Sequence, residues 1–166
     1  MTSHAVLNFM RQQGFPEEPA DACNMRFEGL YFQPRLVFPL VLLGIVFQAV
    51  SLFFLLSAVL WWNTLVPSLN PFEAFYNRVV APRRGTGRLT PSPGPRRFAQ
   101  GMAAAMLLGA GLTLVAGWPV VSWVLQGMLV AAFSALLFGK FCLGAYVYHL
   151  LRGRVAFANS TLPWAG

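Results

Sequence analysis

Two long apolar stretches without a charged residue dominate the hydropathy pattern of this chain. No Asp, Glu, Lys, Arg or His interrupts residues 36–66 or residues 98–138. A helix of about 20 apolar residues is long enough to cross the roughly 30 Å hydrocarbon core of a bilayer. Each stretch could hold one long span or two short ones. The pattern therefore predicts an all-α integral membrane protein.

The second stretch contains a clear turn signal, whereas the first does not. Gly117-Trp118-Pro119 divides the second stretch into two spans, because Gly and Pro interrupt helices. A hairpin in the first stretch would turn near residues 48–51, which contain no Gly, Pro or Asn. A single straight helix there would be about 46 Å long at roughly 1.5 Å per residue. The length favours two spans and the missing turn favours one tilted span, so three-span and four-span architectures both remain open.

The positions of the arginines favour one of these architectures. With four spans arranged as two hairpins, all polar segments share one side of the membrane, and every arginine lies there. With three spans, Arg11, Arg26 and Arg35 lie on the opposite side. Because positive charge is enriched in cytoplasmic loops, the sequence favours four spans with both termini cytoplasmic. Pro34-Arg35 and Pro95-Arg96-Arg97 open the two apolar halves in a similar way, which suggests a duplicated hairpin.

The polar segments set the remaining boundaries. We expect five parts, namely a polar and aromatic N-terminal head that lies on the membrane surface or on a partner, a first hairpin with an interfacial helix, an Arg/Pro/Gly-rich cytoplasmic loop, a second hairpin and a C-terminal tail. Their predicted limits are residues 1–35, 36–81, 82–97, 98–152 and 153–166.

Two further helices can be placed from local signals. Asn70 is a good N-cap, with Pro71 at the first helical position, and a short interfacial helix to about Val80 is expected to follow. The last span is expected to continue past Lys140 to about Arg152, with Lys140 extending towards the interface. Four residues of the interfacial helix are expected to share one face, namely Phe72, Phe75, Tyr76 and Val79.

The composition supports a membrane location and explains the net charge. The chain is 57% hydrophobic and 10% charged, whereas soluble domains are about 25% charged. The net charge of +7 adjoins the spans, so we assign it to orientation and to contact with anionic lipids, and not to nucleic acid. Contacts with the membrane surface or with a partner are expected of Arg83, Arg84, Arg88, Arg96, Arg97 and Lys140.

Few residues offer chemistry. Cys142 could form a reactive thiol pair with Cys23, although free cysteine is more often a small packing residue. His149 could ligate a haem or a pigment, and a histidine near a helix C-terminus is also favourable without any ligand. The sequence holds no nucleophile–base pair, metal motif or phosphate loop, so the cofactor stays unknown. Since no carboxylate or His lies at mid-membrane, we argue against active transport.

Two short motifs resemble those of a bacterial membrane family of unknown function. Residues 95–101 read PRRFAQG, and residues 141–144 read FCLG. The resemblance covers about residues 34–152 and implies four spans in the inner membrane. Some members are encoded near thioredoxin-like or sulfurtransferase proteins, which implies thiol or sulfur chemistry. The family's second cysteine position is Ala145 here, so this chain lacks the Cys-x-x-Cys pair that such redox chemistry uses.

The sequence thus predicts a non-catalytic protein rather than an enzyme. We expect an accessory or stabilising subunit of a larger bacterial membrane complex, and energy-converting assemblies are a natural host because they recruit many small helical subunits. The expected partners are membrane lipids and other membrane-protein subunits. The alternatives are a thiol- or sulfur-linked membrane component and a haem- or pigment-binding subunit.

Overall fold

The computed structural model describes residues 4–15, 20–86 and 88–165, and within α2 it describes side chains from residue 26 onward. These residues form helices, short helical turns and connecting segments, and they contain no strand. The α-helices are α1 His4–Gln13, α2 Ala20–Val46, α3 Val50–Leu65, α4 Pro71–Phe75, α5 Ala81–Arg84, α6 Gly94–Val115, α7 Pro119–Leu137, α8 Leu143–Leu151 and α9 Val155–Ser160.

Three helices are long and apolar enough to cross a membrane, namely Arg26–Val46 within α2, α6 and α7. The fourth apolar helix, α3, has 16 residues and is about 24 Å long at roughly 1.5 Å per residue. The predicted all-helical architecture is confirmed over the described residues. The three long apolar helices indicate a membrane protein.

The four apolar helices form an antiparallel bundle in which α3 and α7 each pack against both α2 and α6, so α2 and α6 lie on opposite corners. The α3–α6 contact is close, because a Cβ added at Gly111 would lie 2.7 Å from the Phe54 ring. Ser57 Oγ donates to the Ala104 carbonyl at 2.8 Å across the same interface. Small residues on α6 therefore allow close approach, which is how helices associate where the hydrophobic effect is weak. The bundle core is filled by Val37, Val41, Phe53, Leu56, Leu60, Ala104, Leu107, Leu129 and Phe133.

Two similar turns connect the helices at one end of the bundle. The predicted turn at Gly117 is present, with φ 75°. The first apolar stretch also folds as two helices, and its turn places Gln48 at φ 45°. In both turns a backbone N–H bonds to the carbonyl five residues earlier, at 2.9 Å for Ala49 and 2.8 Å for Trp118, as in a Schellman motif. We call this the turn end of the bundle.

Several predicted boundaries differ from the observed ones. The helix α2 begins at Ala20, so residues 20–35 extend the first apolar helix and do not belong to a separate head. The central loop is shorter than residues 82–97, because α5 ends at Arg84 and α6 begins at Gly94. Pro95 can lie in the first turn of α6 since that position needs no intrahelical donor.

The last helix is broken where the sequence predicted continuity. The helix α7 ends at Leu137 and α8 begins at Leu143, with Lys140 in the left-handed region at φ 52°. The expected single helix to Arg152 is therefore wrong. After the break, α8 packs against α6 so closely that a Cβ at Gly144 would lie 2.6 Å from the Ala99 Cα.

The segment after α3 matches the prediction only in its first turn. Asn70 is the N-cap, and its Oδ1 accepts from the N–H of Phe72 at 3.0 Å. The helical segment then continues to Arg84 through a π-helical turn at Tyr76–Val80. The predicted apolar face is wrong in part, since Phe75 is exposed and Glu73 is buried.

The end of the bundle opposite the turns is closed by segments from several parts of the chain, and we call these segments together the cap. It consists of α1, the described part of α2 before Pro34, the described residues between 67 and 93, the first turn of α6, and residues 138–165. The N- and C-terminal segments are bonded together, because Asn8 Nδ2 donates to the carbonyls of Leu162 and Ala165 at 3.0 and 2.8 Å. Aromatic rings of Phe9, Phe27 and Tyr31 pack against one another at the centre of the cap.

Candidate functional site

A cavity of about 100 Å³ lies where the bundle meets the cap. It is bounded by α2, α6 and α7, and α1 and the start of α8 close its polar end. Its walls are mostly apolar and include Val37, Ala103, Met106, Leu129 and Phe133. The polar lining is supplied by Gln13, Gln33, Arg96, Gln100 and Cys142. The cavity is therefore polar near the cap and apolar towards the interior of the bundle.

Arg96 is the buried cation of this site. Its side chain is only 6% exposed, and its Nη2 donates to the Leu30 carbonyl at 3.1 Å. Among the described residues, its Nε has no hydrogen-bond partner and the guanidinium forms no ion pair. The predicted role of Arg96 as a surface contact is therefore wrong. It lies in the first turn of α6, which faces α2, whereas the sequence placed it in a solvated loop.

The acid that acts electrostatically on Arg96 is Glu73, which is itself engaged elsewhere. Ser92 Oγ donates to Glu73 Oε1 at 2.6 Å. Burial raises the pKa of the Glu73 carboxyl above its ordinary value, although Ser92, Arg96 and Asn70 each oppose that shift. The positive charge of Arg96 is thus not neutralised at contact distance by the described side chains.

Two glutamines extend the polar lining beside Arg96. Gln100 Nε2 donates to Gln33 Oε1 at 3.0 Å and joins α6 to α2. Its own Oε1 is buried without a hydrogen-bond partner among the described residues. Buried polar atoms nearly always have a partner in folded proteins. This site therefore contains two unsatisfied polar atoms, on Arg96 and on Gln100.

Cys142 lies in the same lining and is 6% exposed. Its backbone N–H donates to Gln12 Oε1 at 2.9 Å. Burial raises the pKa of the Cys142 thiol, and local hydrogen bonds and Arg96 only partly oppose this shift. A thiol of raised pKa is a poor nucleophile. Cys23 belongs to α2, but its side chain lies outside the described residues, so the predicted thiol pair stays a prediction.

The two short motifs meet at this cavity. Arg96 and Gln100 come from PRRFAQG, and Cys142 and Gly144 come from FCLG. The motifs touch directly, through the contact of Gly144 with Ala99. Sequence reasoning missed this convergence. The available signal was that each motif adjoins the same side of the membrane in the four-span topology.

His149 is buried in the cap and is not among the residues that line the cavity. Its Nε2 lies 3.0 Å from the Gln12 carbonyl oxygen, and the ring contacts Phe157 with centroids 4.8 Å apart. Nδ1 has no partner among the described residues. The ring thus joins α8 to α1 and α9, and haem or pigment ligation stays a prediction.

The remaining candidate residues occupy different positions on the cap. Arg83, Arg84 and Arg88 are exposed, and their contact with a membrane surface or a partner stays a prediction. Arg97 is half-buried and its Nε donates to the Thr64 carbonyl at 2.8 Å. Lys140 places its Nζ 5.8 Å from the centre of the Phe27 ring. No group of three His, Cys, Asp or Glu residues in the described part of the chain could hold a metal ion.

A comparison with known protein families finds one whose model matches most of the chain. The model of a family described as a domain of unknown function, DUF4395, matches residues 28–153. The chain belongs to the DUF4395 family. This confirms the predicted membership of a family of unknown function and includes the expected range 34–152. No curated protein and no solved structure matches the chain. The DUF4395 match contains both motifs, whereas α1 and α9 of the cap lie outside it.

Proposed function

We propose that this DUF4395 protein is a non-catalytic, four-span subunit that stabilises a larger complex in the bacterial inner membrane. The observation that supports the proposal is which polar side chains the apolar bundle contains and how they are hydrogen-bonded. In the described apolar helices, no acid, Lys or His lies between the cap and the turn end. A proton or ion pathway usually needs such groups.

Most polar side chains of the bundle are engaged in hydrogen bonds between or within helices. Ser122 Oγ donates to the Ala110 carbonyl at 2.9 Å and joins α7 to α6. Gln126 and Gln48 exchange hydrogen bonds at 3.0 and 3.1 Å near the turn end. Asn63 is an exception, because both of its amide atoms are buried without partners among the described residues. These bonds stabilise a packed bundle, and the polar side chains that make them are not free to line a conducting path.

The four-span topology is supported by the position of α3 beside α6. Arg97 Nε donates to the Thr64 carbonyl at 2.8 Å near the cap, and Ser57 bonds to Ala104 about two turns deeper. Since α3 runs antiparallel to α6 over this length, the two helices occupy similar depths. We infer that α3 crosses the membrane with α6, and that the cap and its arginines face the cytoplasm.

Single-cysteine labelling tests this topology. In a Cys23→Ser, Cys142→Ser background, the exposed positions would be changed one at a time as His4→Cys, Arg83→Cys, Ser160→Cys and Trp118→Cys. With a membrane-impermeant maleimide on intact spheroplasts, only Trp118→Cys should react before permeabilisation. Labelling of His4→Cys together with Trp118→Cys would instead establish three spans.

Purification in a mild detergent tests the assignment as a subunit. A tagged chain should migrate on a native gel with other membrane proteins, and mass spectrometry should identify the same proteins in independent preparations. Leucine substitutions at exposed alanines on three helices, Ala58→Leu, Ala105→Leu and Ala131→Leu, would locate the contact face, and the unaffected variants would be controls. A chain that remains free even after crosslinking in the membrane would overturn this assignment.

The two alternative functions have weaker geometric support. Thiol chemistry would use Cys142, which is buried, has a raised pKa and is followed by Ala145 at the second cysteine position. Haem or pigment binding would use His149, whose Nε2 already faces a protein carbonyl. We therefore retain the accessory subunit, and the identity of its co-purifying proteins would show whether the host is an energy-converting assembly.

A further inference from the structure

We propose that the cavity between the bundle and the cap binds a fatty acid, with the carboxylate at Arg96 and the chain along the apolar wall. This site goes beyond the accessory role and does not depend on it. The inference rests on three observations, namely a buried cation without a contact anion, a lining that changes from polar to apolar, and a cavity too small for a larger headgroup.

The first observation is the charge of the site. A buried guanidinium needs a partner, because removing an unpaired charge from water costs several kcal/mol. Arg96 Nε has no partner among the described residues, and Glu73 is bonded to Ser92. A carboxylate and a phosphate each have two oxygens that match the planar fork of a guanidinium, and the small volume of the cavity favours the carboxylate. A ligand carboxylate would therefore supply the charge that the described protein groups do not.

The second observation is the direction of the lining. From Arg96 to Met106 the cavity follows α6 for ten residues, about 15 Å at roughly 1.5 Å per residue. Arg96 and Gln100 lie at the cap end, whereas Ala103 and Met106 continue towards the interior of the bundle. A molecule with one charged end and one apolar chain has the same order of groups. A hydrophilic anion would leave the apolar part unoccupied.

The third observation is the size of the cavity. A volume of about 100 Å³ is smaller than the roughly 150 Å³ of a cavity that holds one benzene molecule. It accommodates a carboxylate and a few methylene groups, and because the cavity is not fully enclosed, the rest of a bound chain would extend outside it. A phospholipid headgroup, which is bulkier than a carboxylate, does not fit this space. We therefore assign the carboxylate to a single-chain fatty acid.

Equilibrium binding of oleic acid and oleyl alcohol tests the site. The full chain would be purified in a non-ionic detergent and delipidated before titration with each radiolabelled ligand. The two ligands share a chain and differ in charge, so wild type should bind the acid at least about tenfold more tightly, a difference typical of a charge-assisted pair. Arg96→Gln should remove this preference and leave binding of the alcohol unchanged.

Arg97→Gln is the matched control. Arg97 is the next residue along α6 and is not among the residues that line the cavity, and its Nε bonds to the Thr64 carbonyl. It should bind oleic acid like wild type. Ala103→Leu, which fills the apolar part without changing a charge, should weaken binding of both ligands. This second variant keeps the test valid if Arg96→Gln does not fold.

Several results would overturn the proposal. Equal affinity of wild type for the acid and the alcohol would show that no anion is recognised. Unchanged affinity of a folded Arg96→Gln variant for oleic acid would remove Arg96 from the site. Native mass spectrometry of freshly extracted protein should show fatty-acid adducts that Arg96→Gln lacks, whereas Arg96-dependent adducts of phospholipid alone would show that the anion comes from a lipid headgroup.

Discussion

At the turn end of the bundle, two three-residue turns connect the helices, whereas at the cap end several separate segments close over them. Phe47 and Trp118 are exposed at the turn end. In the cap, by contrast, Gln12, Arg96 and His149 are buried. The turns are stabilised by backbone bonds and by the hydrogen bonds between the side chains of Gln48 and Gln126. The cap must satisfy buried polar groups, so recognition of a ligand is to be sought there.

The largest predicted effect is on stability, when a glycine at a close contact in the cap is compared with a glycine at an open position on the bundle. Gly144→Ala should destabilise the protein by about 1–3 kcal/mol, because overpacking moves backbone atoms, and the new Cβ would lie 2.6 Å from the Ala99 Cα. Gly127→Ala is the control, since a Cβ there would meet nothing within 4 Å. The thermal unfolding midpoint in detergent measures both, and equal midpoints would show that α8 is free to move away from α6.

A smaller effect concerns the closure of the cap around Cys142. In a Cys23→Ser background, Cys142 should react with a permeable maleimide at least about tenfold more slowly than a cysteine at exposed position 160. The reason is that the thiolate is the nucleophile and that burial raises the pKa of the Cys142 thiol. A raised pKa also predicts that the rate keeps increasing with pH beyond the point at which the exposed thiol levels off. The control is Ser160→Cys in a chain that lacks Cys23 and Cys142. Equal labelling rates of Cys142 and of this control would show that the cap opens readily.

The smallest effect compares the two turns with each other. Gly117→Ala should cost about 1 kcal/mol, because φ is 75° there and a Cβ disfavours the left-handed region. Gln48→Gly removes that strain at φ 45° but also removes the hydrogen bonds from Nε2 to the Ile45 carbonyl and to Gln126. We expect a smaller change in unfolding free energy at Gln48. A larger loss at Gln48 would mean that its side chain, and not the backbone, determines the turn.

Local sequence patterns were sufficient for the helices and for one of these turns. The all-helical architecture, the turn at Gly117 and the N-cap at Asn70 all follow from signals within a few residues. The turn at Gln48 has no such local signal, because its stabilising partners include Gln126, which lies 78 positions away. The break near Lys140 was missed because α8 turns towards α6 through tertiary contacts.

The candidate site depends even more strongly on distant contacts. The sequence identified the residues Arg96, Gln100 and Cys142 through short motifs, but it assigned Arg96 to the surface. Its burial depends on the approach of α2, whose Leu30 carbonyl accepts from Arg96 at a separation of 66 positions. The cavity is created by the spacing of three helices, and hydropathy along the chain does not report that spacing.

The bonds between α1 and the C-terminal segment determine when the cap can close during synthesis. Asn8 and Gln12 bond to residues 154 and 149 positions later, which corresponds to a delay of roughly 8–30 s at 5–20 residues per second. During that interval Phe9 can already pack against Phe27 and Tyr31, but the polar face of α1 lacks its partners. We expect α1 to rest on the membrane surface until then, so α1 reaches its final position only after the helices that follow it have been made.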